Sequence, residues 1–170
     1  MSIKLLLSGG TFDKSYNESN GELDFTNTHI SEMFEIGRNR AEINIEQLML
    51  KDSLQMDDAD RQKILNACIK TIEDKIIITH GTDTMVETAK VLGDAIVDQK
   101  LDKTIVLVGA MVPFVFKHSD ALFNMGFALA SVQTLSHGVY IAMNGKVFDW
   151  DNVVKNLDKG IFEEKKSETI

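Results

Sequence analysis

Apolar runs of strand length alternate along this chain with longer amphipathic stretches. Ile3 to Leu7 has the length and continuity of a buried strand, and Gly9-Gly10 follows at once. Ile43 to Leu50 alternates as a strand does and runs into the polar segment KDSLQMDDAD. Asp57 or Asp58 stands there where a helix N-cap belongs. In the helix that this predicts, Ile64, Leu65, Cys68, Ile69 and Ile72 fall on one face. Lys75 to Thr79 is a continuous apolar strand ending at His80-Gly81. Thr84 to Val97 reads as helix, Thr104 to Val108 as a buried strand ending in Gly109, and Asp120 to Leu135 as helix. Gly138 to Met143 reads as strand, and Gly145 to Asp149 returns from it as a hairpin arm.

Strands that are apolar almost throughout, separated by helices, predict an α/β fold: a mostly parallel open sheet with helices on both faces. Glycines recur just past the strand ends, at Gly9-Gly10, Gly81 and Gly109. Open α/β sheets bind ligands there, where the chain turns sharply and exposes backbone N–H groups. No internal repeat, low-complexity tract or linker interrupts the pattern, so residues 1–170 predict one domain. The end of the chain, KKSETI, predicts a frayed tail.

Composition narrows the class of partner. A chain of 170 residues, 44% hydrophobic and 26% charged, suits one globular domain with a sizeable core. Its net charge of −8, with scattered Lys and Arg, argues against nucleic acid. The single cysteine, Cys68, excludes an internal disulfide and sits at helical spacing, as a small buried hydrophobe would. The opening MSIKLLLSGGTFD has too short an apolar run for a secretory signal. No segment approaches the roughly 20 apolar residues that cross a bilayer. The expectation is a cytoplasmic protein without a membrane partner.

Three segments carry candidate chemistry. In SGGTFDKSY, the glycine pair permits a tight turn and Thr11 then presents a hydroxyl at the sheet edge. Taken alone, the segment reads better as a glycine-rich turn with a helix-capping threonine, and the spacing is not that of a dinucleotide site. In THGTDTMVETA, Thr82 and Asp83 put a hydroxyl and a carboxylate beside a helix start, where Asp83 also suits a cap. One cap does not explain His80, Thr82, Asp83 and Thr84 crowded at one strand end. In MNGKVFDWDNVVKN, Lys155 follows the hairpin. Most lysines are solvated, but one held near carboxylates or hydroxyls can carry protons.

Together these segments resemble the bacterial L-asparaginase family. The resemblance rests on Gly9-Gly10-Thr11 after the first strand, His80-Gly81-Thr82-Asp83-Thr84-Met85 with Glu87-Thr88-Ala89, and Val108-Gly109-Ala110-Met111 with Pro113. Ser119-Asp120 ahead of Phe123-Asn124, Met143-Asn144 and Lys155-Asn156 continue the same order. The match covers nearly the whole chain.

The resemblance implies an amidohydrolase that converts asparagine, with glutamine as a further candidate, to the acid and ammonia. It implies Thr11 as the nucleophile and Thr82 as a second threonine held near Lys155 and Asp83, a group that moves protons and positions water. It implies Asp83 on the substrate α-ammonium, Ser53 on its α-carboxylate, and a contribution from Gly10 to the binding surface. No cofactor or metal is implied. The chain resembles the short, one-domain members, which lack the second domain whose residues clamp the substrate amine from a neighbouring subunit. In these members Asp13-Lys14 and then Tyr16 follow the GGT turn, and Tyr16 is the candidate lid tyrosine. Val112 stands where many members carry arginine, which reads as loss of a structural ion pair. Residues 15–29 read as a mobile lid over the substrate, or as a plain surface loop. Faces left uncovered by a second domain predict a homodimer or larger homo-oligomer. Two other readings stand beside the enzyme: a non-catalytic amino-acid-binding module, and an ammonia-supplying domain of a larger assembly.

Overall fold

The computed structural model describes residues 2–166. The frayed tail expected at KKSETI lies for its last four residues outside the described ones. In chain order the elements are β1 (Ile3–Gly9), β2 (Lys14–Asn17), β3 (Glu22–Phe25), α1 (Ile30–Ile36), β4 (Ile43–Lys51), α2 (Asp58–Lys70) and β5 (Lys75–Thr79). There follow α3 (Met85–Val97), β6 (Thr104–Val108), α4 (Ala121–Thr134), β7 (Gly138–Met143), β8 (Lys146–Asp149), β9 (Val154–Asn156) and β10 (Ile161–Glu163). Short 3-10 turns at Thr11–Asp13 and Ser53–Gln55 follow β1 and β4.

Six strands form one sheet in the order β4-β1-β5-β6-β7-β8. The first five are parallel, and β8 returns antiparallel to β7. The expected mostly parallel open sheet is therefore the fold observed. The inner strands β1, β5, β6 and β7 are apolar on both faces because both are covered. Leu6, Ile76, Ile78, Ile105, Leu107 and Ile141 pack beneath α2 and α3. The alternate residues Leu5, Leu7, Ile77, Val106 and Val108 pack against α1 and α4.

The placement of the helices fixes the handedness of the crossovers. From β1 to β4 the chain steps one way along the sheet over the α1 face; from β4 to β5 and β5 to β6 it steps the other way over the α2–α3 face. Those three crossovers share one hand. The step from β6 to β7 continues in the same direction, yet α4 lies on the α1 face. That crossover has the opposite hand and, since parallel crossovers are right-handed in all but a few per cent of cases, it is the left-handed one. To change faces the chain needs the long connection at residues 109–120, which runs over the end of the sheet.

Several expected boundaries moved. Asp57 is the cap of α2, with Asp60 closing a reciprocal capping box. The helix stops at Lys70 because Thr71 is extended, so Ile72 never reaches the core and is 92% exposed. Ile69 is exposed as well, whereas Cys68 is buried as expected and its thiol is pushed up to about 12 by burial. Thr84 and Asp120 are caps rather than first helical residues, and Gly145 forms the turn before β8. The hairpins β2–β3 and β9–β10 and the short α1 were not foreseen. The outer edge of β4 is partly closed, since Lys63 Nζ donates to the Leu48 carbonyl at 2.7 Å.

His80 is the buried joint between β5 and α3. Its Nδ1 lies 2.7 Å from the Gly81 carbonyl and its Nε2 2.8 Å from Thr88 Oγ1. A carbonyl only accepts, so Nδ1 carries the proton and Nε2 accepts from the Thr88 hydroxyl. Burial, and then the nearby Arg61 charge, lower the imidazole pKa from 6.5 to about 4, against the opposing pull of the Gly81 carbonyl. A base whose folded pKa is lowered stabilises the fold fully above its unfolded pKa and loses that contribution as pH falls. Between pH 6.5 and about 4 the loss from His80 is about 3 kcal/mol. Denaturant unfolding across this window is expected to show it, with a flatter profile for His80→Gln. An imidazole that protonates near pH 6.5 by NMR would contradict the assignment.

Candidate active site

Among the five parallel strands the order counted along the chain is 2-1-3-4-5, so the direction of winding reverses between β1 and β5. At such a point neighbouring connections leave on opposite faces and open a crevice beyond the strand ends. The turns after β1 and β5 carry Gly10-Thr11 and Gly81-Thr82.

These two turns touch through backbone. Gly10 has φ +85°, a conformation that residues with an L side chain rarely adopt, and donates its N–H to the Lys51 carbonyl at 3.1 Å. A Cβ there would lie 2.4 Å from the Gly81 nitrogen. On the other side of Gly81, a Cβ would lie 2.6 Å from Ser53 Oγ. Three strand ends are thus drawn to one point, and Thr11 follows from it in a turn anchored by the fully buried Phe12. Thr11 is half-buried and Thr82 buried.

Lys155 reaches the same point from β9. Its Nζ donates to Thr82 Oγ1 at 2.8 Å and to Asp83 Oδ1 at 2.5 Å. The ammonium is mostly buried, while Asp83 stays open to solvent. The hairpin that delivers it is fixed by Val153 and by Phe162, both buried in the core on the α2–α3 side. A hydroxyl, an ammonium and a carboxylate in one chain can pass a proton along it.

Ser53 opens the short turn after β4, and Thr84 Oγ1 donates to its carbonyl at 2.8 Å. The Ser53 hydroxyl is buried, faces Gly81 and has no partner among the described residues. Tyr16 is placed differently from these groups. It stands on β2, 56% exposed, with its hydroxyl beside Gly21 in the turn of its own hairpin.

The segment expected as a polar loop over the site is largely the β2–β3 hairpin, held at its base. The Asp13 carboxylate accepts the His29 N–H at 3.1 Å, and Ser15 Oγ lies 2.8 Å from His29 Nε2. Lys14 pairs with Asp52 at 2.5 Å. Burial raises the Asp13 carboxyl, opposed by hydrogen bonds from Thr28 and His29 and by the His29 charge.

One support escaped notice in the sequence. Arg61, buried on α2, pairs with Glu87 at 2.5 Å and donates to the Met56 carbonyl, tying the Ser53 turn to α3. Its spacing of three and four residues before Ile64 and Leu65 put it on the buried face and was the available signal. Asp120 accepts the Met111 and Val112 N–H groups, and Asn124 bonds the Gly109 carbonyl and the Asn144 N–H. Val112 therefore serves this loop through its backbone. A groove of about 640 Å³ between β4 and α2 contains none of the candidate residues, which lie at the strand ends instead.

The family model described as "Asparaginase, N-terminal" matches residues 2–161. A protein of Haemophilus influenzae named probable L-asparaginase periplasmic is 34% identical over 167 residues, covering 90% of this chain and 46% of its own length. A component of the glutamyl-tRNA(Gln) amidotransferase of Methanococcus vannielii is 30% identical over 94% of this chain and 37% of its own. The crystal structure of a probable cytoplasmic L-asparaginase from Campylobacter jejuni superposes with a TM-score of 0.80 at 30% identity, covering 95% of this chain and 52% of that one. The chain thus spans about half the length, or less, of the relatives that it matches. With the family model extending over nearly all of it, from before β1 into β10, this chain belongs to the asparaginase family and has the fold of its N-terminal domain.

Proposed function

We propose that this chain is an L-asparaginase-type amidohydrolase acting on asparagine, with glutamine as a second candidate substrate. The observation that carries the reading is the Lys155 ammonium 2.8 Å from Thr82 Oγ1, beside a turn that Gly10 packs against Gly81 and that ends in Thr11. Thr11 Oγ attacks the carboxamide carbon, its proton passes to the departing nitrogen, and ammonia leaves an ester on Thr11. Water then cleaves the ester and releases aspartate. A threonine hydroxyl is a weak nucleophile until its proton is withdrawn, which is the task assigned to Thr82, Lys155 and Asp83. Backbone N–H groups at the glycine-bearing ends supply oxyanion donors, each typically worth about 3 kcal/mol. Asp83 takes the substrate α-ammonium and the Ser53 turn its α-carboxylate, with Gly10 leaving room for the ligand. Tyr16 closes over the substrate when the hairpin moves inward.

Half-exposed or exposed apolar residues beside this edge, Val115, Phe116 and Phe123, together with Val147 on β8, support a homodimer or larger assembly. Phe123 alone is 62% exposed. Among the described residues no helix is long and apolar enough to cross a membrane. We place its work in the cytoplasm, as the name of the Campylobacter jejuni relative does for that protein, whereas the Haemophilus influenzae relative is named periplasmic.

Purified protein is expected to release ammonia from asparagine. Thr11→Ala, Thr82→Ala and Lys155→Met are each expected to lower kcat by about 10³-fold or more, without loss of fold by circular dichroism. Full activity in Thr11→Ala would overturn the assigned nucleophile, and aspartate binding by calorimetry without any ammonia release would favour an amino-acid-binding module. Light scattering at micromolar concentration is expected to give at least twice the chain mass of 19.0 kDa, and a monomer would refute the assembly.

A further inference from the structure

Lys14 is a charged residue to which the proposed reaction gives no task. It stands three residues after Thr11, at the first position of β2, with its ammonium 2.5 Å from Asp52 Oδ2. Both side chains are mostly buried. Asp52 immediately precedes Ser53, and its other oxygen accepts the Leu54 N–H at 3.0 Å, capping the Ser53–Gln55 turn. Its carboxylate is therefore fixed within one residue of the place assigned to the substrate α-carboxylate. The neighbouring cation Lys51 is committed to Asp60 at 2.5 Å, and Arg61 to Glu87. Without Lys14, Asp52 would be an uncompensated anion beside a site that must accept another anion. Repulsion at a separation of several ångströms near a protein surface is worth on the order of tenfold in affinity.

We propose that Lys14 is a positioning residue acting through Asp52: by pairing with it, Lys14 keeps the Ser53 turn electrically neutral and so lets that turn hold the α-carboxylate of an amino-acid substrate. The inference rests on the reading of Ser53 given above. Burial works to raise the Asp52 carboxyl, but the Lys14 hydrogen bond, the Leu54 N–H and the Lys14 charge outweigh it and hold the group below the usual carboxylate range. Asp52 is accordingly ionised at neutral pH. A purely mechanical role, a strap fastening the hairpin to the turn, makes a different prediction. A strap is lost whichever partner is changed, whereas neutrality is restored by removing both charges.

Calorimetric titration of the full chain with L-aspartate separates the two. Lys14→Gln is expected to weaken binding about fivefold, with the KM for asparagine raised by a similar factor and kcat within about twofold. Asp52→Asn, which keeps the Leu54 cap, is expected to bind as well as the parent or tighter, and the double variant to return to within about twofold of it. Aspartic acid α-amide, which has no α-carboxylate, is expected to bind parent and Lys14→Gln alike. A double variant as weak as Lys14→Gln, or an Asp52→Asn variant weaker than the parent, overturns the electrostatic role. If Lys14→Gln does not fold, Asp52→Asn decides by the same criterion. Unchanged binding in both single variants removes Lys14 alone from the account. Failure of the parent to bind aspartate at all removes the Ser53 assignment and this inference with it.

Discussion

Where β1 and β5 end, two stretches of backbone press against each other with no space for a side chain between them. A methyl group on Gly10 would sit 2.4 Å from the Gly81 nitrogen, and one on Gly81 would strike Ser53. Because the Gly10 contact is backbone on backbone, flexible side chains cannot relieve it. It fixes the separation of the two turns as firmly as the sheet fixes its strands. The positions of Thr11, Thr82 and Ser53 all follow from that contact, since each is next to, or against, one of the two glycines.

The sheet topology makes the contact possible. The reversal of winding between β1 and β5 opens the crevice, and the single crossover of opposite hand carries residues 109–120 over its rim before α4 begins. Asp120 and Asn124 tie this long connection to the ends of β6 and β7, and His80, buried and neutral, fastens the β5 turn to α3. Lys155 is held differently. Its hairpin is only three residues on each strand, and it relies on Val153 and Phe162 to lock it into the core. The precision with which the ammonium meets Thr82 and Asp83 is therefore borrowed from packing on the neighbouring strand and just before its own.

Much of this was legible in the sequence, for a physical reason. Strands buried on both faces must be apolar throughout, so Lys75–Thr79 and Thr104–Val108 declare themselves, and glycines past their ends mark where backbones converge. The β2–β3 hairpin did not declare itself, because its two strands are polar or half-exposed and their pairing leaves no period to read. Ile72 misled for the opposite reason: helical spacing continued after the helix had stopped, and only the extended Thr71 records the break. Arg61 shows a third limit. Its helical position placed it inward, but its partner Glu87 lies 26 residues further on in another helix, and nothing local couples the two. The hand of the β6–β7 crossover was equally invisible, since the pattern of apolar residues on a helix does not say which face of the sheet it covers.

The account stands on a single place where two threonine-bearing turns and one lysine meet a common ligand. A crystal structure of the protein with aspartate bound tests this most directly. The ligand should lie at the ends of β1 and β5, with its side-chain carboxylate within hydrogen-bond distance of both Thr11 and Thr82 and its α-carboxylate on the Ser53 turn. Aspartate bound in the groove between β4 and α2, or touching only one of the two threonines, would contradict it.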